Sequence, residues 1–306
     1  MLERDGGRRM ALPACMDNPD MTRKTHLLII DPQNDFCDLP DAWRPADPAS
    51  GERLAPALPV AGAHADMQRL ATLIREAADG LTDITVTLDS HHHLDIAHPT
   101  FWQTADGGPV APFTPITAAQ LRAGAFKPRD PAALPRPQAY LDELETRGRY
   151  TLMVWPVHCE IGSWGHNVHA NVKAAYNAWE ERHLVTVQMV AKGSNPWTEH
   201  YSAMQAEVPD PADPGTQLNQ PLIDRLDQAD LLLVAGEASS HCVKASTEHI
   251  VAHLRSGRAG KIVLLTDCMS AVGGFQAEHD AFFADMRAQG VRLATSPEIL
   301  AQLRSH

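Results

Sequence analysis

The sequence predicts an α/β fold: a six-stranded, mainly parallel sheet with helices on both faces, interrupted by long loop insertions. Three observations carry this prediction. Short apolar runs recur along the chain with stretches of helical periodicity between them, the alternation expected of a parallel sheet covered on both sides. The runs are apolar throughout and do not alternate with polar residues, as strands buried on both faces do not. Hydrophobic residues reach 44% of 306, enough to fill the core of one large domain and too many for a disordered chain.

Taken in order, residues 1–23 carry charges but no continuous apolar stretch, so they read as a loose N-terminal tail and not as a signal peptide. Residues 24–306 read as a single domain. His26 to Asp31 is a first strand ending in an acid. Residues 37–61, rich in Pro and Ala, form a first insertion. A helix follows with Met67, Leu70, Leu73 and Ile74 on one face. Ile84 to Leu88 is the second strand, ended by Asp89. Eight prolines between Pro99 and Pro137 predict a long irregular excursion, a second insertion over 99–149, with a short helix from Leu141 to Arg147. A loop that long is functional or disordered. Tyr150 to Trp155 reads as the third strand and runs into Pro156-Val-His-Cys. A helix over 166–182 leads to a fourth strand, Leu184 to Ala191, which ends at Lys192. A helix over 218–228 leads to the fifth strand, Leu231 to Ala235. Lys261 to Thr266 is the sixth strand, and helices near 278–289 and 297–304 close the chain.

The net charge of −12 disfavours nucleic acid and anionic membrane surfaces as partners. No apolar run approaches the ~20 residues of a membrane span. The five cysteines, at 15, 37, 159, 242 and 268, are odd in number and lack CxxC spacing, which suits reduced thiols in a cytoplasmic protein.

The chemistry collects around Leu231 to Ser246. Four apolar residues lead into the small-residue turn Ala235-Gly-Glu-Ala-Ser-Ser240, and then a helix presents Val243, Thr247, Ile250 and Leu254 on one stripe. Cys242 thus falls in the first turn of a helix beyond a strand's carboxyl end. There the free N–H groups and the helix dipole stabilise a thiolate and lower its pKa. A buried structural cysteine would fit the same pattern. In parallel sheets, ligands bind beyond the carboxyl ends of the strands. Those ends deliver Asp31, Asp89 with His91, His158, Lys192 and Cys242. From the residues alone, Asp35 is placed as well as Asp31, and a lysine at a strand end is usually solvated. An acid and a histidine two apart, with a further histidine after another strand, can bind Zn²⁺, Mn²⁺ or Fe²⁺. His91, His92 and His93 are adjacent, so the choice among them stays open by one position.

These segments resemble the isochorismatase-like cysteine hydrolases, and among them the nicotinamidases. LLIIDPQNDFC is similar to the opening strand with its catalytic Asp. LDSHHH and WPVHC are similar to the metal segments, VAKG to the lysine strand and VAGEASSHCV to the nucleophile turn. The resemblance implies a Rossmann-like three-layer fold and a catalytic triad of Asp31, Lys192 and Cys242. It implies a cis peptide before Ala238 and an oxyanion hole formed by the N–H groups of Ala238 and Cys242. It implies a divalent metal ion, zinc before iron or manganese, on Asp89, His91 and His158, and leaves open whether His98 adds a fourth ligand. Phe36, Trp155 and Tyr201 resemble the aromatic walls around a substrate ring. A homo-oligomer is also implied.

The expected activity is hydrolysis of nicotinamide, or a related small carboxamide, to acid and ammonia through a Cys thioester. Two other readings compete. One is a cysteine hydrolase of a ureido, carbamoyl or maleamate-type amide without a substrate-binding metal. The other is a non-catalytic binding protein of the same fold. The segments GSWGHNVH and GSNPWTEHYS and both insertions depart from a simple nicotinamidase.

Overall fold

The computed structural model describes residues 23–304. The tail expected over residues 1–23 lies, apart from residue 23, outside the described residues. In chain order the strands are β1 Thr25–Ile30, β2 Asp83–Asp89, β3 Trp102–Thr104, β4 Thr114–Ile116, β5 Phe126–Pro128, β6 Leu152–Val154, β7 Gln188–Lys192, β8 Leu231–Gly236, β9 Ile262–Leu265 and β10 Arg292–Ala294. The helices are α1 Ala63–Glu76, α2 Ala118–Arg122, α3 Pro135–Arg147, α4 Ala170–His183, α5 Gln220–Asp227, α6 Cys242–His253, α7 Gln276–Ala288 and α8 Ser296–Arg304.

Six strands form one parallel sheet in the order β10-β9-β8-β1-β2-β7. Every residue of β1 and β8 is buried, so both faces of the sheet centre are covered. The apolar runs of the sequence exist for that reason: a strand with no solvent face has no use for polar residues. Helix α1 packs with α4 and α8, and α6 packs with α5 and α7; α1 and α6 both meet β8. After β1 the chain winds to β2 and β7 on one side, then returns to β8, β9 and β10 on the other. The direction reverses between β1 and β8, and the crevice at such a switch point takes the ligand. Asp31 follows β1 and Cys242 follows β8, so the two sit on either side of it.

The count of six strands is as expected, but one member differs. Tyr150 to Trp155 is not a strand of the large sheet. It shortens to β6, paired antiparallel with β4 of the second insertion. Strand propensity identified the extended run but carried no information about its partner. The sixth place goes to β10, a three-residue edge strand opening on the exposed Arg292, too short to leave a pattern in the sequence. The fourth expected strand also starts late. Leu184 takes a left-handed φ of 55° at the end of α4 and is 89% exposed; pairing with β2 begins near Gln188.

The second insertion is not an irregular excursion. It folds into α2, α3 and two small antiparallel sheets, β3-β5 and β4-β6. Phe101, Trp102, Ile116, Leu141, Leu144 and Val154 belong to a hydrophobic cluster of its own, separate from the main core. Prolines open α3 and two short 3₁₀ turns, first-turn places where a missing N–H costs nothing. This satellite core supports the loop between β2 and β3, which carries His91 and His98.

Candidate active site

Asp31, the residue after β1, is fully buried at a left-handed φ of 43°. Thr87 of β2 fixes it at both ends. The Asp31 N–H donates to Thr87 Oγ1 at 3.1 Å, and the Thr87 hydroxyl donates to Asp31 Oδ1 at 2.5 Å. Lys192 closes β7 in register with Asp89 on β2. Its Nζ lies 3.1 Å from Asp31 Oδ2, 2.8 Å from Asp89 Oδ1, 2.9 Å from the His200 carbonyl and 3.7 Å from Cys242 Sγ. The lysine is 3% exposed, not a solvated surface residue. Cys242 is the first residue of α6 and is 7% exposed at the pocket wall. A carboxylate, an ammonium and a thiol thus converge from β1, β7 and α6. Asp35, the other acid of the first segment, is occupied elsewhere: its carboxylate accepts from Cys159 N and Ala57 N at 2.7 and 3.0 Å.

Gly236 brings β1 and β8 close enough for this. A Cβ there would stand 1.9 Å from the Ile30 carbonyl oxygen, and the residue adopts φ 119°. The next peptide bond, Glu237–Ala238, is cis, as the resemblance implied. Ala238 and Cys242 both line the pocket.

The electrostatics correct one expectation. Burial pushes the Cys242 thiol well above its usual pKa; Lys192 opposes this, while Asp31 and Asp89 add to it. The helix-terminus argument for a thiolate left out the desolvation and the two neighbouring carboxylates, and these win. The Lys192 ammonium reaches both the Cys242 sulfur and the Asp31 carboxylate, at 3.7 and 3.1 Å. Burial also raises Asp31, with Lys192 pulling the other way. For Lys192, burial disfavours the ammonium, but Asp31, Asp89 and Cys242 outweigh it and the pKa ends well above the ordinary lysine value.

Beside the triad lies a buried donor cluster. His91, His98 and His158 bring ligand atoms within 4.8 Å of one another. Asp89 Oδ2 is 3.0 Å from His91 Nε2 and 3.3 Å from His158 Nε2. Of the three adjacent histidines only His91 is buried; His92 and His93 are exposed, and His93 reaches Glu160 at 3.2 Å. The outer contacts orient the rings: His91 Nδ1 meets Asp95 Oδ2 at 3.1 Å, and His158 Nδ1 meets the Pro156 carbonyl at 2.8 Å. Gln33 holds Asp89 by two 2.8 Å bonds to its backbone. Three imidazoles and one carboxylate, all but His98 braced from behind, fit a divalent transition-metal ion.

The pocket over these groups is small, about 30 Å³. Phe36, Trp155 and Tyr201 all line it, together with Asp89, His158, Glu199, Ala238, His241 and Cys242. The Trp155 indole N–H donates to Tyr201 Oη at 3.0 Å, and Phe36 packs edge-on to His158. Of the residues read from the sequence, Phe36, Asp89, Trp155, His158, Tyr201, Ala238 and Cys242 line this pocket, Lys192 and His91 touch Asp89 behind it, and Asp31 touches Lys192. Sequence reading missed Thr87, Asp95, Glu199 and His241. Asp95 stands four residues after His91 and Glu199 seven after Lys192, spacings that mean nothing until the loops are folded.

Comparison of the whole chain with solved structures bears on this geometry. A nicotinamidase/pyrazinamidase of Acinetobacter baumanii superposes with a TM-score of 0.57 at 17% identity, covering 91% of this chain and 99% of its own. The yeast nicotinamidase gives 0.58 at 18%, covering 88% and 99%. The chain has the nicotinamidase fold. An L. infantum protein determined in complex with nicotinate gives 0.52 at 20%, covering 90% and 94%. No family model and no curated protein matches the chain by sequence. The nicotinamidase fold thus carries here a second hydrophobic cluster in its long insertion. Among the described residues no helix is long and apolar enough to cross a membrane.

Proposed function

We propose that the protein is a metal-assisted cysteine amidohydrolase acting on nicotinamide or a related small carboxamide. The observation that carries this is the contact of Lys192 Nζ with both Asp31 Oδ2, at 3.1 Å, and Cys242 Sγ, at 3.7 Å, under an aromatic-walled pocket. In this reading Asp31 takes the thiol proton and Sγ attacks the amide carbonyl carbon. The oxyanion meets the N–H groups of Ala238 and Cys242. Asp31 returns the proton to the nitrogen, the C–N bond breaks and ammonia leaves a thioester. Water, deprotonated by Asp31, then releases the acid and restores the thiol. Lys192 offsets the charge of Asp31 throughout.

Asp89, His91, His98 and His158 would hold the divalent ion, zinc before iron or manganese. When bound it supplies a Lewis-acidic anchor for a substrate ring nitrogen. This cluster favours the metal-assisted reading over a metal-free ureido, carbamoyl or maleamate hydrolase, and over a non-catalytic binding protein. The partner is a small amide rather than nucleic acid or membrane, in a cytoplasmic homo-oligomer. Ammonia release from nicotinamide and pyrazinamide by the wild type, absent in Cys242→Ala, is the expected result. Equal release by both proteins would remove the nucleophile.

A further inference from the structure

Glu237 has no part in the chemistry above, yet it stands directly before Ala238 and is fully buried. Its Oε2 accepts from the Ser270 N–H at 3.1 Å, in the loop between β9 and α7. On the other side of Ala238, the Ser239 N–H donates to the Ser270 carbonyl at 2.9 Å. The two neighbours of Ala238 are thus tied to one serine. That serine is held in turn from α1. Its hydroxyl donates to Asp66 Oδ2 at 2.5 Å, and Asp66, itself buried, pairs with Arg69. Arg69 Nε returns to the Asp267 carbonyl at 2.5 Å, in the same loop as Ser270. Two more bonds seal loop to turn: Gly236 N–H to the Cys268 carbonyl at 2.9 Å, and Val272 N–H to Ser240 Oγ at 3.1 Å. Filling the space under a turn needs only apolar side chains. Two buried carboxyls on one serine carry a cost in desolvation and mutual repulsion. Burial and the charge of Asp66 push the Glu237 carboxyl well above its ordinary pKa, against the pull of the Ser270 N–H, so it is held as the neutral acid. Neither Glu237, Asp66 nor Ser270 lines the pocket, so they act on it through the turn.

Building on the amidase reading, we infer that Glu237 is a positioning residue for the oxyanion hole: with Asp66 and Arg69 behind it, it clamps Ser270 against the nucleophile turn and fixes the direction of the Ala238 N–H. That donor has to meet an oxyanion that forms only as the thiolate attacks, and a displacement of about 1 Å there costs about 100-fold in rate. Binding of the intact amide rests on the pocket walls and does not draw on the clamp. Glu237→Gln keeps an uncharged acceptor for the Ser270 N–H. Glu237→Leu keeps similar bulk, removes the acceptor and orphans that N–H.

The test compares wild type, Glu237→Gln and Glu237→Leu as full-length, metal-loaded proteins. In ammonia release from nicotinamide, Glu237→Leu is expected to lower kcat about 100-fold at a KM within about threefold of wild type. Glu237→Gln is expected to keep kcat within about threefold. The rate of Cys242 alkylation by iodoacetamide should be the same in all three, since the thiol itself is not moved. Hydrogen exchange across residues 237–240 and 268–272 should quicken in Glu237→Leu and stay at the wild-type rate in Glu237→Gln. Wild-type kcat in Glu237→Leu, equal impairment of the Gln and Leu variants, or a rise in KM with slowed alkylation overturns the inference, the last assigning Glu237 to support of the fold. Should Glu237→Leu not fold, Ser270→Ala cuts the tie to Asp66 and leaves the backbone bonds; it is expected to lower kcat about tenfold at unchanged KM, and an unchanged kcat overturns the inference. If the wild type releases no ammonia from nicotinamide or pyrazinamide, the amidase reading fails by itself. Exchange then decides the clamp, and equal exchange in all three proteins removes it.

Discussion

Asp89 and Lys192 face each other in register on neighbouring strands, and the Lys192 ammonium meets Asp89 Oδ1 at 2.8 Å while Asp89 Oδ2 turns to His91 and His158. One carboxylate therefore joins the triad to the histidine cluster. Lys192 is the cation between two buried acids, since Asp31 is 0% and Asp89 3% exposed. Lys192→Met should destabilise the fold by about 3–5 kcal/mol, because it strands both charges. Lys192→Met/Asp31→Asn should recover part of that stability without recovering ammonia release. Urea unfolding of the two variants checks this; equal stability would mean that Asp31 carries no charge in the resting protein.

The histidines can be told apart by metal content. His98→Ala and His158→Ala remove members of the buried cluster, and each should lower bound metal in the purified protein. His92→Ala and His93→Ala, on the exposed side of the same loop, should leave it unchanged. Asp95→Asn keeps all three rings but weakens the acceptor behind His91, and an outer partner of this kind is worth about 10–100-fold in metal affinity. Competition with a chelator measures it.

Trp102 links the satellite core to the cluster. Its indole N–H donates to the Ile96 carbonyl at 2.7 Å, in the turn between Asp95 and His98, and its ring is 1% exposed. Trp102→Phe keeps much of the ring but orphans that carbonyl, at a cost of about 1–3 kcal/mol. The loop should loosen locally, so metal affinity should fall more than global stability. Hydrogen exchange across residues 95–98 reads the difference; uniform protection would contradict it.

How far the sequence reached depended on the range of the signal. Leu231 to Val234 and the stripe Val243, Thr247, Ile250 and Leu254 were readable because burial imposes a period on neighbouring residues. The meeting of Asp31, Lys192 and Cys242 was readable because strand ends converge in a parallel sheet, and the resemblance chose Asp31 over Asp35. Four things were not readable. β10 is three residues long, and Tyr150 to Trp155 found its partner inside an insertion. The thiol's pKa depends on Asp31, Asp89 and burial, all set by tertiary contacts. Glu199 reads as any acid in a polar loop until the pocket closes around it.

Glu207 makes stability depend on pH away from the catalytic groups. It is 3% exposed, and both carboxyl oxygens lack hydrogen bonds; the nearest guanidinium nitrogen of Arg149 is 3.9 Å away. Burial, with Glu199 and Glu248 nearby, raises its pKa from 4.5 to about 7, against the pull of Arg149 and Lys244. The folded state therefore holds this proton more tightly than the unfolded chain. That contribution is complete below about pH 4.5 and is lost as pH climbs through about 7. Over this window it amounts to a few kcal/mol at most, since about 1.4 kcal/mol accompanies each pKa unit. Glu207→Gln keeps the shape and cannot ionise. Relative to wild type, its unfolding free energy should therefore improve between about pH 5 and about pH 8. Denaturant titrations of both proteins at the two pH values test this; a difference that does not change with pH would show that Glu207 is already charged in the folded state.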